Sequence, residues 1–141
     1  MKQNILLVDD DPAVRRMLRR VLEDEHYLVS SAGTGKEALQ KAAGTDVALV
    51  LLDLNLPEGN GWETFERLTT EHPSLPVIII TARSNQLFPA LASGVGALME
   101  KPLDLPKLLR TIEDLLAEPA ATRLARTAGH LAEFHYLPPK R

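Results

Sequence analysis

Residues 46–61, DVALVLLDLNLPEGNG, form the stretch that decides the fold of this chain. Residues 47–52 are an unbroken apolar run, which is typical of a strand buried on both faces in a parallel sheet. Asp53 ends that run, and it is followed by asparagine, proline and glycines, which favour a loop. Open α/β sheets carry their chemistry at the carboxyl ends of the central strands, so Asp53 is the first candidate for a functional residue.

The composition of the 141-residue chain is that of one globular domain with a core of its own. A net charge of −3 offers no basic surface, so we expect no direct binding of nucleic acid. The absence of cysteine excludes disulfides, thiol catalysis and cysteine-based metal sites. The sequence shows neither a signal peptide nor an apolar run that could span a bilayer, so we expect a cytoplasmic protein with no membrane partner.

Apolar runs alternate with helical stripes along the chain. Further strands are predicted at residues 4–8, 27–31, 75–80 and 97–100. Helices are predicted from Pro12, over residues 36–43 and 61–71, and from about residue 104, with an irregular segment at residues 83–96. Five strands separated by helical segments predict an α/β fold, in which a parallel sheet with right-handed crossovers carries helices on both faces.

Polar residues follow four of these five strands, and the carboxyl ends of parallel strands meet at one edge of a sheet. They are Asp9 and Asp10, then Asp53, Thr81 and Lys101. Crowded carboxylates repel one another, and Mg²⁺ bound through carboxylates, waters and phosphate oxygens relieves that repulsion. A lysine adds a point charge for an anion, and a threonine adds a hydroxyl donor. These groups suit phosphoryl transfer, with Asp53 as a nucleophile that becomes an aspartyl phosphate.

With these motifs in place, the sequence resembles a receiver domain of bacterial two-component response regulators. The matching segments are ILLVDDDP, LVLLDLNLPEGNGWE, VIIITAR and LMEKPLDLPKLL, which lie within residues 4–117. The resemblance implies a flavodoxin-like, doubly wound, five-stranded sheet with strand order 2-1-3-4-5. We expect the receiver domain at residues 1–118 and a tail at residues 119–141, which is too short to form a separate output domain.

The resemblance also implies roles for the acidic residues and for Asn55. Asp53 would accept a phosphoryl group from a phosphohistidine of a sensor histidine kinase or a histidine phosphotransfer protein, and this would switch a protein–protein interaction surface. Asp9, Asp10, Asp53 and the backbone carbonyl of Asn55 would hold Mg²⁺. The expected protein is a signalling module that assists its own phosphorylation and dephosphorylation, and it is not an enzyme. A phosphorylation-dependent homodimer is left open.

Lys101 would pair with the phosphoryl oxygens, and Thr81 would move its hydroxyl toward them, with a cis bond between Lys101 and Pro102. One departure from the family concerns the position three residues before the lysine, which is usually aromatic. Here that position is Leu98. The aromatic half of the family's switch is therefore absent, and the sequence leaves open whether Leu98 replaces it.

A second departure is the short segment at residues 83–96. It predicts an abbreviated fourth helix that begins at Pro89 as its first residue, and a remodelled output face on which Phe88 is exposed. In the tail, residues 121, 124, 128 and 131 repeat at helical spacing and predict a further helix over residues 120–134. That helix would either fold back on the domain or mediate dimerisation.

Three other functions fit parts of the pattern. The chain could be the receiver fragment of a longer regulator, for example a DNA-binding one, which composition does not distinguish. An aspartyl-phosphate phosphohydrolase of the haloacid dehalogenase type would carry its nucleophile in a DxD motif on the first strand, whereas here Asp53 follows the third strand. A phosphorylation-independent interaction module on the same fold would not need the complete set of site residues.

Overall fold

The computed structural model describes residues 2–57, 59–83, 85–86, 89–90, 94–127 and 134–140. In chain order its elements are β1 (Asn4–Val8), α1 (Pro12–Asp24), β2 (Leu28–Ala32), α2 (Gly35–Gly44), β3 (Leu49–Asp53), β4 (Asn55–Leu56), β5 (Gly59–Asn60), α3 (Gly61–Glu71), β6 (Val77–Thr81), β7 (Ala97–Glu100), α4 (Leu105–Ala117), α5 (Ala120–Thr127) and β8 (His135–Leu137).

The main sheet has the order β2-β1-β3-β6-β7-β8, and all of its strand pairs are parallel. Its first five strands confirm the predicted 2-1-3-4-5 order and the α/β fold. The sheet also has a sixth strand, β8, which the sequence analysis did not predict. The short strands β4 and β5 form a separate antiparallel hairpin directly after β3.

An apolar layer covers each face of the sheet, which explains why its strands show no polar alternation. Successive residues of each strand alternate between the two layers, so that Val50 and Leu52 lie in one and Leu49 and Leu51 in the other. Helices α2 and α3 contribute to the first layer through residues such as Phe65. Helices α1 and α4 contribute to the second. Helices therefore cover both faces, as predicted.

Two helices begin directly after site segments, and both begin with an aspartate cap followed by a proline in the first turn. Asp11 accepts a hydrogen bond from the N–H of Ala13 at 2.9 Å. Asp104 accepts one from the N–H of Lys107 at 3.3 Å. These caps satisfy N–H groups that the helix itself leaves unpaired, and they fix where the loops after β1 and β7 end.

The tail differs from its prediction. Helix α5 is described over Ala120–Thr127, and residues 128–133 of the predicted helix lie outside the described residues. After Phe134, β8 pairs with β7 in the register Ala97↔His135, Leu98↔Tyr136 and Met99↔Leu137. The pairing satisfies the outer edge of β7, which would otherwise expose backbone donors and acceptors, and it buries Leu137 to 4% exposure. The tail thus folds back on the domain through a strand.

The irregular segment at residues 83–96 is described only in part. Pro89 and Ala90 are helical, and the N–H of Ala90 donates to the carbonyl of Gln86 at 3.0 Å. The residues of the predicted fourth helix at positions 91–93 lie outside the described residues, and so does Phe88, which was predicted to be exposed. Across the ranges that the structure describes, no helix has the length and apolar character needed to cross a bilayer.

Candidate functional site

Asp53 is the last residue of β3 and lies between β1 and β6, in the middle of the sheet. Its residue exposure is 3%. The backbone N–H of Asn55 donates to Asp53 Oδ1 at 2.7 Å, so one carboxylate oxygen is held by the loop that follows the strand. That loop returns through the β4–β5 hairpin, and the N–H of Gly61 donates to the carbonyl of Leu54 at 2.9 Å. A contact within the following loop therefore holds one oxygen of the Asp53 carboxylate at the end of β3.

Asp9 lies at the end of the neighbouring strand β1 and is as deeply buried, at 3% exposure. Its Oδ1 accepts a hydrogen bond from the N–H of Asp11 at 2.9 Å. Its buried Oδ2 has no hydrogen-bond partner among the residues that the structure describes. Burial, together with the nearby Asp53, raises the pKa of Asp9 to about 6, although the Asp11 bond and Lys101 act in the opposite direction. Asp10, next in the chain, is exposed.

Lys101 connects the two buried carboxylates. Its Nζ lies 2.8 Å from Asp53 Oδ2 and 3.9 Å from Asp9 Oδ2. Burial alone would lower the pKa of Lys101, but the hydrogen bond to Asp53 and the charges of Asp53, Asp9 and Asp10 raise it above its ordinary value. The Lys101–Pro102 bond is cis, as the resemblance implies. The ammonium group is therefore charged at neutral pH and is directed at Asp53.

Thr81 ends β6, the strand next to β3, and follows Ile80, which is the register partner of Asp53; it is 2% exposed. Its hydroxyl oxygen accepts a hydrogen bond from the N–H of Arg83 at 3.0 Å, and its carbonyl accepts one from the N–H of Lys101 at 2.8 Å. Direct side-chain contacts thus join Asp9, Asp53 and Lys101, while Thr81 is linked to Lys101 through the backbone.

The acidic side chains of the site could bind a hard cation such as Mg²⁺ only if further ligands, for example waters, complete its coordination shell. No group of three or more acidic or histidine side chains in the described part of the chain is arranged to hold a metal by itself. The buried Asp9 Oδ2 accepts no hydrogen bond among the described residues and lies 3.9 Å from Lys101 Nζ, so it can still bind a divalent cation. Mg²⁺ keeps several waters and takes only one or two protein carboxylates, so Asp9 and Asp53 suit it.

Three residues around the site were missed by the sequence analysis. The guanidinium of Arg15 donates to the backbone carbonyl of Asp9. Glu100, which precedes Lys101, is buried at 7% exposure, and the hydroxyl of Tyr136 in β8 donates to its side chain. This hydrogen bond to Glu100 raises the pKa of Tyr136. The only indication in the sequence was Glu100, a carboxylate at the end of the apolar run of β7. Nothing in the residues around Glu100 indicates that its hydrogen-bond partner, Tyr136, lies 36 positions later in the chain.

Leu98, at the position that the family usually fills with an aromatic residue, is fully buried at 0% exposure. It packs in the layer that also contains Phe65, and its neighbours across the sheet are Ile79 on one side and Tyr136 on the other.

Comparison with known proteins gives one consistent family. A model of the response regulator receiver domain matches residues 5–113. Among curated proteins, the transcriptional regulatory protein SrrA of Staphylococcus aureus is 31% identical over 142 aligned positions, which cover 97% of this chain and 58% of SrrA. The chain therefore spans less than two thirds of the length of that relative.

Solved structures agree in fold. A CheY-like response regulator receiver domain protein from Methanospirillum hungatei superposes with a TM-score of 0.79 at 31% identity, covering 82% of this chain and 94% of that one. Response regulator TrrA from Thermotoga maritima, solved in complex with Mg²⁺-BeF, superposes with a TM-score of 0.75 at 27% identity, covering 80% and 98%. Chemotaxis protein CheY4 from Vibrio cholerae gives 0.76 at 26%, covering 82% and 99%.

Proposed function

Because the chain belongs to the response regulator receiver domain family, we propose that Asp53 is its phosphoacceptor and that the reaction depends on Mg²⁺. The observation that carries the proposal is the 2.8 Å contact between Lys101 Nζ and Asp53 Oδ2 at the buried end of β3. It places a fixed positive charge beside a carboxylate whose other oxygen is already held by a backbone N–H.

The phosphoryl donor is a phosphohistidine of a sensor histidine kinase or a histidine phosphotransfer protein. A lone pair of one Asp53 carboxylate oxygen forms the new P–O bond, the P–N bond breaks, and its electron pair stays on the departing imidazole nitrogen. Charge neutralisation and alignment dominate the catalysis of such transfers. Lys101 neutralises charge on the phosphoryl oxygens, and because its ammonium already lies at Asp53, little ordering is needed at the moment of transfer.

Mg²⁺, when bound, supplies further positive charge to the phosphoryl oxygens. Asp9 and Asp53, with Asp10 and the backbone carbonyl of Asn55, would hold it. The buried Oδ2 of Asp9 supports this set. It accepts no hydrogen bond among the described residues, and its ion pair with Lys101 is long, at 3.9 Å, so a bound cation would offset the cost of burying it. Asp10 is exposed, which suits a ligand that acts through water.

The hydroxyl of Thr81 serves as the state-dependent contact. In the present structure it accepts a hydrogen bond from the N–H of Arg83, so its own proton is free to point at a phosphoryl oxygen on Asp53. Such a contact would draw in the segment after β6. The protein then acts as a signalling module that changes an interaction surface, and its phosphoryl group is the signal and not a turnover product.

A second candidate concerns the whole protein. SrrA is named a transcriptional regulatory protein, and the chain spans 58% of it. Control of a DNA-binding output by the same receiver chemistry is therefore the alternative to a stand-alone interaction module.

Incubation with acetyl phosphate and Mg²⁺ tests the phosphoacceptor directly. Intact-mass spectrometry should show the gain of one phosphoryl group on the wild-type chain and none on Asp53→Ala. Chelation of Mg²⁺ should abolish the gain, and Lys101→Ala should slow it while leaving the fold intact. Asp46→Ala is a matched control, because Asp46 is an exposed aspartate just before the other end of β3. Phosphorylation of Asp53→Ala at the wild-type level would show that the acceptor is a different residue.

A further inference from the structure

The tail reaches the candidate site at two points, one on each side of Lys101. On one side, the hydroxyl of Tyr136 donates to the side chain of Glu100. On the other, the backbone N–H of Lys140 donates to the carbonyl of Pro102 at 2.9 Å. The two neighbours of Lys101 in the chain are thus both held by residues 136–140, which lie beyond the residues matched by the family model.

These contacts come from a docked strand. β8 pairs along β7 up to Met99↔Leu137, and Leu137 is 4% exposed in the layer that also contains Met99. Glu100 is itself 7% exposed, so its carboxylate needs a donor, and Tyr136 supplies one. Loss of the Tyr136 hydroxyl would remove that donor directly beside Lys101.

The tail contacts with residues 100 and 102 restrict the side chain of Lys101, which lies between them. It is long and 32% exposed, and holding it in one geometry opposes considerable rotamer freedom. Its backbone N–H is bonded to the carbonyl of Thr81 at 2.8 Å, but the loop after it leaves the sheet. Fixing residues 100 and 102 limits the positions that the ammonium group can take relative to Asp53.

We propose that Tyr136 and the backbone N–H of Lys140 are positioning groups for Lys101, and that docking of the tail thereby increases the affinity of the site for a phosphoryl anion. The inference rests on the proposed function, in which Lys101 pairs with the phosphoryl oxygens. The proposal makes different predictions for the affinity for a phosphoryl anion and the affinity for Mg²⁺. Anion binding should weaken when the tail contacts are lost. Mg²⁺ binding should not weaken, because Lys101 is a cation beside Asp53 and Asp9 and does not itself hold Mg²⁺.

Two substitutions remove one contact each and have matched controls. Tyr136→Phe deletes the hydroxyl and keeps the ring, and Tyr27→Phe makes the same change at the other tyrosine of the chain, on β2's side of the sheet. Lys140→Pro deletes the backbone N–H, and Lys140→Ala shortens the side chain but keeps that N–H. Urea unfolding of each variant establishes that the fold is retained before binding is measured.

Beryllofluoride, added with saturating Mg²⁺, is the probe for the phosphoryl anion, and titration calorimetry gives both affinities. We expect Tyr136→Phe and Lys140→Pro each to weaken beryllofluoride binding by about threefold to tenfold, the effect of losing roughly one hydrogen bond. Tyr27→Phe and Lys140→Ala should bind as wild type does. The affinity for Mg²⁺ alone should not fall in any of the variants, because a less fixed Lys101 ammonium repels the cation no more strongly than in the wild-type chain.

A mutant cycle with Lys101 separates positioning from a merely structural role. In a Lys101→Ala background, Tyr136→Phe and Lys140→Pro should no longer change beryllofluoride affinity, because the group that they position is gone. Binding is also reciprocal, so Mg²⁺ with beryllofluoride should slow amide hydrogen exchange in residues 135–140 of the wild-type chain. That readout needs no phosphoryl transfer.

The possible results divide cleanly. If the wild-type chain binds no beryllofluoride, the proposed function is wrong and the inference fails with it. If the wild-type chain binds it and the two tail variants bind equally tightly, the inference alone is wrong. A parallel loss of Mg²⁺ affinity, or an undiminished effect in the Lys101→Ala background, also overturns it, since the tail would then act on the whole site and not through Lys101.

Discussion

Replacement of Asp9 by asparagine should stabilise the metal-free protein at neutral pH. Asp9 is 3% exposed, and its Oδ2 has no hydrogen-bond partner within the described ranges. Asparagine has nearly the same shape, and its side-chain oxygen can still accept the N–H of Asp11. Its amide N–H₂ group can also donate toward Asp53, where the carboxylate instead adds repulsion. The substitution removes a buried charge and keeps the existing hydrogen bond.

The size of the effect follows from the pKa of Asp9, which burial raises from 3.8 to about 6. At about 1.4 kcal/mol per pKa unit, the ionised carboxylate costs the folded state up to about 3 kcal/mol. The asparagine amide must be desolvated as well, so we expect a gain of about 1–3 kcal/mol in the free energy of unfolding. The folded state binds the Asp9 proton more tightly than the unfolded state does. The destabilisation by the ionised Asp9 carboxylate is therefore complete above about pH 6 and disappears as the pH falls to 3.8.

Urea unfolding followed by circular dichroism, with a metal chelator present, measures this difference between variant and wild type. The variant's advantage should be largest near neutral pH and should shrink to nothing toward pH 3.8. Added Mg²⁺ should reduce the stability advantage of the variant at neutral pH. A bound ligand stabilises the protein that binds it, and the wild-type chain keeps the Asp9 carboxylate that is proposed to hold Mg²⁺. Asp10→Asn serves as the control, because Asp10 is exposed and its neutralisation should change stability little. A variant less stable than wild type, or an advantage that does not vary with pH, would refute the reasoning.

Two further predictions concern the start of α3, which follows the loop after Asp53. Gly61→Ala should destabilise the protein by about 1–3 kcal/mol in urea unfolding, because the added Cβ would lie 2.6 Å from the Cα of Leu54, whereas Gly44→Ala, with nothing within 4 Å, should be neutral or slightly stabilising. Trp62, the one tryptophan of the chain, donates its indole N–H to Gln86 at 2.9 Å, so its fluorescence should change when Mg²⁺ and beryllofluoride bind and should respond less in Gln86→Ala. An unchanged fluorescence spectrum of the wild-type chain would contradict a link between the Trp62–Gln86 contact and the site.

The central strands were predictable because burial on both faces leaves only apolar residues in them before the polar residue at each carboxyl end. β3 and β6 appear in the sequence as unbroken apolar runs for this reason. Their common direction then predicts that Asp53 and Thr81 lie side by side, and the structure places them on adjacent strands. The predicted start of β6 at residue 75 was early by two positions, since the pairing with β3 begins at Val77, directly after Pro76, which has no N–H to donate.

The parts that could not be predicted depend on contacts between distant segments. β8 has three residues, too few to show a periodicity of two. Its partner, β7, is separated from it by two helices, so neither the pairing nor its register has a local signal. The bond between Tyr136 and Glu100 follows from that register and was invisible for the same reason.

The direction of β8 determines which edge of the sheet the end of the chain reaches. A parallel pair needs a crossover, and α4 and α5 supply it by returning the chain to the edge where β7 begins. The guanidinium of Arg123 donates to the carbonyls of Leu116 and Glu118, at 3.1 and 2.9 Å, and so secures the joint between these helices. An antiparallel β8 would have carried residues 138–140 to the opposite edge. Parallel pairing instead brings them to Pro102. The residues that follow β8 therefore lie at the same edge of the sheet as the site residues that follow the other parallel strands.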